Sequence, residues 1–130
     1  MFMPFLSTDR SSSYLGFLPL VGRDRGYDGS MNDPIMVIVD ADIAALVPGF
    51  LANRRREVDT LLTLVAQNDF PKIRLIGHSM KGSGGGYGFD LISLFGDEIE
   101  VAALNADAGA VRQIVRRFSD YLSRIRVVWA

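Results

Sequence analysis

The chain of 130 residues has no cysteine and a single histidine. The first absence excludes disulfides, thiol chemistry and cysteine-ligated metal, and the second excludes a histidine-rich metal site within one copy. An excess of one charge is missing as well. The 14 Lys and Arg face 15 Asp and Glu, so nothing draws the chain generally to nucleic acid or to a membrane surface. No apolar run approaches the roughly 18 residues needed to span a bilayer. The start lacks the positive charge and the small-residue cleavage site of a secretory signal. What is present, 48% hydrophobic and 22% charged residues, suffices for one core and falls short of two ordinary domains. The expectation is one soluble cytoplasmic domain.

Residues 1–36 differ in texture from the rest. Ser11-Ser12-Ser13 and Gly22-Arg23-Asp24-Arg25-Gly26 alternate with Phe2, Phe5, Tyr14, Leu15, Phe17 and Leu18 in no regular period. One reading is a flexible or loosely packed extension, with Met31 or Met36 as the native start. The other packs its aromatics on the domain or on a neighbouring copy, making a dimer of an otherwise monomeric protein. Residues 37–130 form the expected domain. Val47, Leu51, Val58, Leu61, Leu62 and Val65 recur at helical spacing, with Arg54, Arg55, Arg56, Glu57 and Asp59 on the wet side. Asp40 or Asp42 caps this first helix, Pro48 lies in its early turns, and Asn68-Asp69 ends it.

A second helix is expected from about Asp69 to Gly88, since Asp is a good N-cap and Pro71 is tolerated in the first turn. A third runs from Asp90 to Leu104, with Leu91, Leu94, Phe95, Ile99 and Ala102 or Ala103 inward. After the Asn105-Ala106-Asp107 turn, a fourth covers Ala108 to Arg126 with Val111, Ile114, Val115, Phe118, Tyr121, Leu122 and Ile125 in register. Ile35 to Val39 is a short β-branched run, and no alternating strand of convincing length is evident. Four amphipathic helices on short turns predict an all-α, antiparallel up-down four-helix bundle.

The histidine, His78, lies on the second helix. On a 100° wheel, Ile73, Ile76, Met80, Ser83 and Tyr87 fall opposite it, so the imidazole faces solvent. On its own side lie Gly82 and Gly85, flanked by Lys81 and Leu75. Glycine inside a helix costs roughly 0.8 to 1 kcal/mol relative to alanine, so Gly82, Gly84, Gly85 and Gly86 together would cost about 3 to 4 kcal/mol. In a fold stable by only about 5 to 15 kcal/mol, such a cost suggests close approach by a partner's backbone. An exposed imidazole presents an unprotonated nitrogen near neutral pH and can attack phosphorus, while Lys81 one turn on screens phosphoryl oxygens.

Three other patterns fail. Gly77-His78-Ser79-Met80 begins a nucleophile elbow around Ser79, but Lys81 replaces the final glycine and no second histidine serves as base. A phosphate-binding loop needs its lysine after the glycine, whereas Lys81 precedes Gly82. A dinucleotide loop needs glycine at Phe89 and a strand leading in.

The stretch Leu75-Ile76-Gly77-His78-Ser79-Met80-Lys81-Gly82-Ser83-Gly84-Gly85-Gly86-Tyr87-Gly88-Phe89 resembles the signature of histidine-containing phosphotransfer (HPt) domains of two-component phosphorelays. The resemblance extends from about Asp42 to Arg126. It takes in Val47-Pro48-Gly49-Phe50-Leu51-Ala52-Asn53-Arg54-Arg55 and Ile92-Ser93-Leu94-Phe95-Gly96-Asp97-Glu98-Ile99-Glu100, and leaves out the first 33 or so residues. It implies a monomeric phosphoryl carrier and no enzyme of its own. His78 would take a phosphoryl group from one response-regulator receiver domain, such as that of a hybrid sensor histidine kinase, and pass it to another.

By the same resemblance, Lys81 stabilises the group and Gly82 permits receiver docking, with Gly85 and Gly86 extending that surface. Leu75, Leu46 and Phe50 are candidate docking residues; for Leu46 and Phe50 the alternative is that they close the end of the core. No cofactor is expected on this chain, since magnesium would come with the receiver. A competing expectation is an adaptor that binds and sequesters receivers without phosphorylation.

Overall fold

The structure, a computed structural model, describes residues 33–130. Most of the expected N-terminal extension, with its proposed flexible or packed aromatics, lies outside the described residues. Strand β1 (Ile35–Val39) leads through a short 3-10 segment (Ala41–Leu46) into helix α1 (Val47–Ala66). Helix α2 (Phe70–Ser83), a 3-10 turn (Gly85–Tyr87), α3 (Asp90–Leu104), α4 (Ala108–Arg124) and strand β2 (Ile125–Trp129) follow. The fold is mostly helical. Helix α1 packs on α2 and α4, and α3 packs on the same two. No helix among the described residues is long and apolar enough to cross a membrane.

Local chemistry sets the boundaries. The Asp40 carboxylate accepts from the Asp42 N–H, and the Asp69 and Asp107 carboxylates accept from the Lys72 and Ala110 N–H groups, satisfying donors that each helix start leaves without an internal partner. Asn68 and Ala106 adopt positive φ in the two tight turns. Every expected inward residue of α4 is buried, from Val111 to Ile125, and they meet Ile73, Met80, Phe89, Ile92, Phe95 and Ile99 in one core. Phe95 lies against both Phe118 and Tyr121.

Four expectations are corrected. The fourth helix ends at Arg124, because the β-branched residues beyond it pair in parallel with β1, Ile35 against Ile125 through Val39 against Trp129. The run at Ile35–Val39 is therefore a strand, and it begins ahead of the domain boundary expected at residue 37. Leu62 and Leu94 face solvent, at the margins of their stripes, and Ile92 and Gly96 take the inward positions on α3. Arg54, expected on the wet side of α1, is buried, and its neighbours Arg55 and Arg56 are exposed.

Candidate functional site

Helix α2 holds His78 where the wheel places it. Ile73 and Met80 are fully buried behind it, and the imidazole side chain is 69% exposed. Leu75 is exposed on the same side.

Two glycines bring α3 against this helix. A Cβ on Gly77 would lie 2.8 Å from the Glu100 N and the Gly96 O, and one on Gly96 would lie 2.5 Å from the Lys81 N. Backbones therefore touch where side chains would hold them apart. That contact lets short acidic side chains from α3 reach the exposed face of α2.

Glu100 is the hub. Its Oε2 lies 3.1 Å from His78 Nδ1 and 3.8 Å from Arg74 Nη1, and its Oε1 lies 3.7 Å from Lys81 Nζ. Lys81 Nζ also meets Asp97 Oδ1 at 3.1 Å. The hydrogen bond Lys81 donates to Asp97, then the charge of Asp97 and that of Glu100, raises the Lys81 pKa above its ordinary 10.5, so the ammonium stays charged at neutral pH. A carboxylate is acceptor-only. Glu100 beside Nδ1 therefore favours the tautomer with its proton on that nitrogen, leaving the Nε2 lone pair free.

The glycines that follow Lys81 are not alike. Helix α2 stops at Ser83, ahead of the expected Gly88, so Gly84, Gly85 and Gly86 are not helix-interior residues and carry no summed helical penalty. Gly84 has no room for a Cβ, which would lie 2.6 Å from the Ser93 N; its smallness serves the approach of α3 within the chain. Gly88 ends the turn in the left-handed region at φ 87°. Gly82 and Gly86 face open space. Gly85 donates its N–H to Ser93 Oγ at 2.9 Å.

Phe50 and Leu46 part company. Leu46 is exposed, whereas Phe50 is buried and stacks on Tyr87 at 4.2 Å between centroids, so Phe50 closes the end of the core and is not an exposed docking residue. The Arg54 guanidinium also lies over this ring, 4.9 Å from the centroid. Arg54 donates to Ser83 Oγ at 3.1 Å and to Glu57 Oε2 at 2.9 Å. Burial raises the Glu57 pKa above 4.5, against the lowering effect of Arg54. This network fastens the C-terminal end of α2, Ser83, to α1.

His78, Lys81, Gly82, Leu75 and Gly86 are thus exposed, and Arg74, Asp97 and Glu100 complete the charged cluster. The last three carried no assigned role in the sequence. Their signal was the pairing of Arg74, His78 and Lys81 at spacings of four and three with Asp97 and Glu100 at a spacing of three, readable only once Gly77 and Gly96 are recognised as facing each other. A groove of about 520 Å³ between α1 and α4 is lined by Val58, Leu62, Arg112 and Arg116 among others and holds none of these residues. The cluster therefore lies on an open face of the molecule. No protein-family model, no curated protein and no solved structure matches the chain.

Proposed function

We propose that this protein is a histidine phosphotransfer protein, an HPt-like carrier that shuttles a phosphoryl group on His78 between response-regulator receiver domains. The four helices are read as an antiparallel up-down bundle presenting that residue. The observation that carries the proposal is the His78 environment: an exposed imidazole whose Nδ1 meets Glu100 at 3.1 Å, beside the charged Lys81 and the open positions Gly82 and Gly86.

The chemistry follows from that arrangement. The Nε2 lone pair attacks phosphorus of a receiver's aspartyl phosphate, the N–P bond forms, and the acyl phosphate O–P bond breaks with its electron pair returning to the aspartate. Glu100 meets the positive charge that develops on the ring, and Lys81 meets the phosphoryl oxygens. The receiver and its magnesium supply the remaining groups, so this chain acts as substrate and carrier. Leu75 and Leu46 give the partner apolar contact, and Gly82 and Gly86 let its backbone come close.

The test is incubation with a phosphorylated receiver, following acid-labile, base-stable phosphate on wild type and on His78→Gln. Label on wild type alone supports the carrier. Binding of receivers by both proteins, with label on neither, would leave the phosphorylation-independent adaptor in its place.

A further inference from the structure

Arg74 stands one turn before His78 and Lys81 one turn after it, so the three side chains share a face of α2. The Arg74 and His78 nitrogens both approach the same oxygen of Glu100. Their contacts differ in kind. At 3.1 Å the imidazole is within hydrogen-bond distance, while at 3.8 Å Arg74 makes only a loose electrostatic contact. Its side chain is also 42% exposed, and among the described residues no second carboxylate holds it as Asp97 holds Lys81.

Charge gives this looseness a use. At rest, Arg74 and Lys81 balance Asp97 and Glu100 around the imidazole. A phosphoryl group brings close to two further negative charges, which leaves the face with a deficit of cations. A guanidinium presents paired N–H donors that match two phosphoryl oxygens at once, whereas an ammonium acts as a point charge.

We propose that Arg74 is a second phosphoryl-binding cation, parked on Glu100 at rest and transferred to the phosphoryl oxygens when His78 is modified. This rests on the carrier reading above and extends it to a residue outside the motif. Glu100 then has two states: before transfer it meets Arg74, Lys81 and the ring Nδ1–H, and afterwards it keeps the ring Nδ1–H once Arg74 has left.

The experiment uses the full chain and phosphoramidate as donor, which removes any dependence on the choice of receiver. The His78 Nε2 lone pair attacks phosphorus, the donor's P–N bond breaks, and the departing nitrogen leaves with the electron pair and a proton as ammonia. The initial rate of phosphohistidine formation is followed by 31P NMR for wild type, Arg74→Gln, Arg74→Lys, Glu100→Gln and the Arg74→Gln/Glu100→Gln double variant. Thermal midpoints serve as folding controls.

Arg74→Gln is expected to slow acceptance about five- to tenfold, the loss of one charge-assisted contact at the transition state. Arg74→Lys should recover part of it, and added salt should narrow the gap. The double variant decides between direct and indirect action. If Arg74 touches the phosphoryl group, Arg74→Gln still slows the Glu100→Gln protein; if Arg74 acts only by holding Glu100, it does not, and the proposal falls. Equal rates for wild type and Arg74→Gln overturn it as well. A wild-type chain that takes no phosphoryl group from phosphoramidate or from any receiver overturns the carrier reading itself, a result separable from the other two.

Discussion

Two cation–carboxylate clusters flank the histidine motif, and they are built for different ends. Arg54, Glu57 and Ser83 form one where α1 meets the C-terminal end of α2, with the Arg54 side chain 10% exposed and the guanidinium laid over Phe50. Arg74, His78, Lys81, Asp97 and Glu100 form the other on the open face between α2 and α3. In the first, the cation itself is buried and held at once by a carboxylate, a hydroxyl and an aromatic ring, so the network is fixed. In the second, Arg74, His78 and Lys81 all stand in water around one largely buried carboxylate, Glu100, and partners can be exchanged. Burial makes an ion pair a fastening; exposure leaves it available for chemistry.

The largest effect should come from breaking the buried cluster. Arg54→Ala leaves Glu57 without its counter-ion in a largely dry site and should cost about 3 to 5 kcal/mol, read from the denaturant midpoint. A loss below about 1 kcal/mol, the scale of exposed pairs, would erase the distinction. Gly96→Ala comes next. With a Cβ 2.5 Å from the Lys81 N, α3 must move off α2, at about 1 to 3 kcal/mol. It should also separate Glu100 from His78, visible as a change in the imidazole NMR signals that Arg54→Ala does not produce.

Acidity sharpens the comparison further. Because burial holds the folded Glu57 pKa above 4.5, the folded chain binds its proton more readily than the unfolded chain does. Its contribution to stability is therefore fully present below pH 4.5 and is lost as pH rises through the folded value. Glu57→Gln should flatten that part of the stability–pH curve; an unchanged slope would show that Glu57 is not the group responsible. The smallest change belongs to the open face. Gly82→Ala meets nothing within 4 Å and should raise stability by about 0.8 to 1 kcal/mol through helix propensity while weakening receiver-dependent labelling. Labelling at the wild-type rate would remove Gly82 from the proposed docking surface.

Much of the helical framework was legible because single-face periodicity and capping chemistry are local signals. The inward face of α4, the bounds of α3 and the Asp69 cap are of this kind. So was the exposure of His78, which follows from the apolar residues behind it. Arg54 was misread because a wheel assigns charge to water, and only the neighbours Phe50, Glu57 and Ser83 give it a buried place. Glu100 was missed for a related reason: its role arises from a helix crossing, and the glycines that permit the crossing stand nineteen positions apart. The strands escaped because each is five residues long and makes sense only beside the other.

That parallel ladder has a kinetic consequence. Ile35 pairs with Ile125 and Val39 with Trp129, so the two strands can meet only after the intervening helices have drawn the ends of the domain together, and chain closure over such a span is slow relative to helix formation. The ladder should zip up last during folding and open first in the native state. Its amides would then exchange with solvent through local fraying, ahead of those in α2 and α3, which would keep the histidine face intact while the ends of the domain come apart.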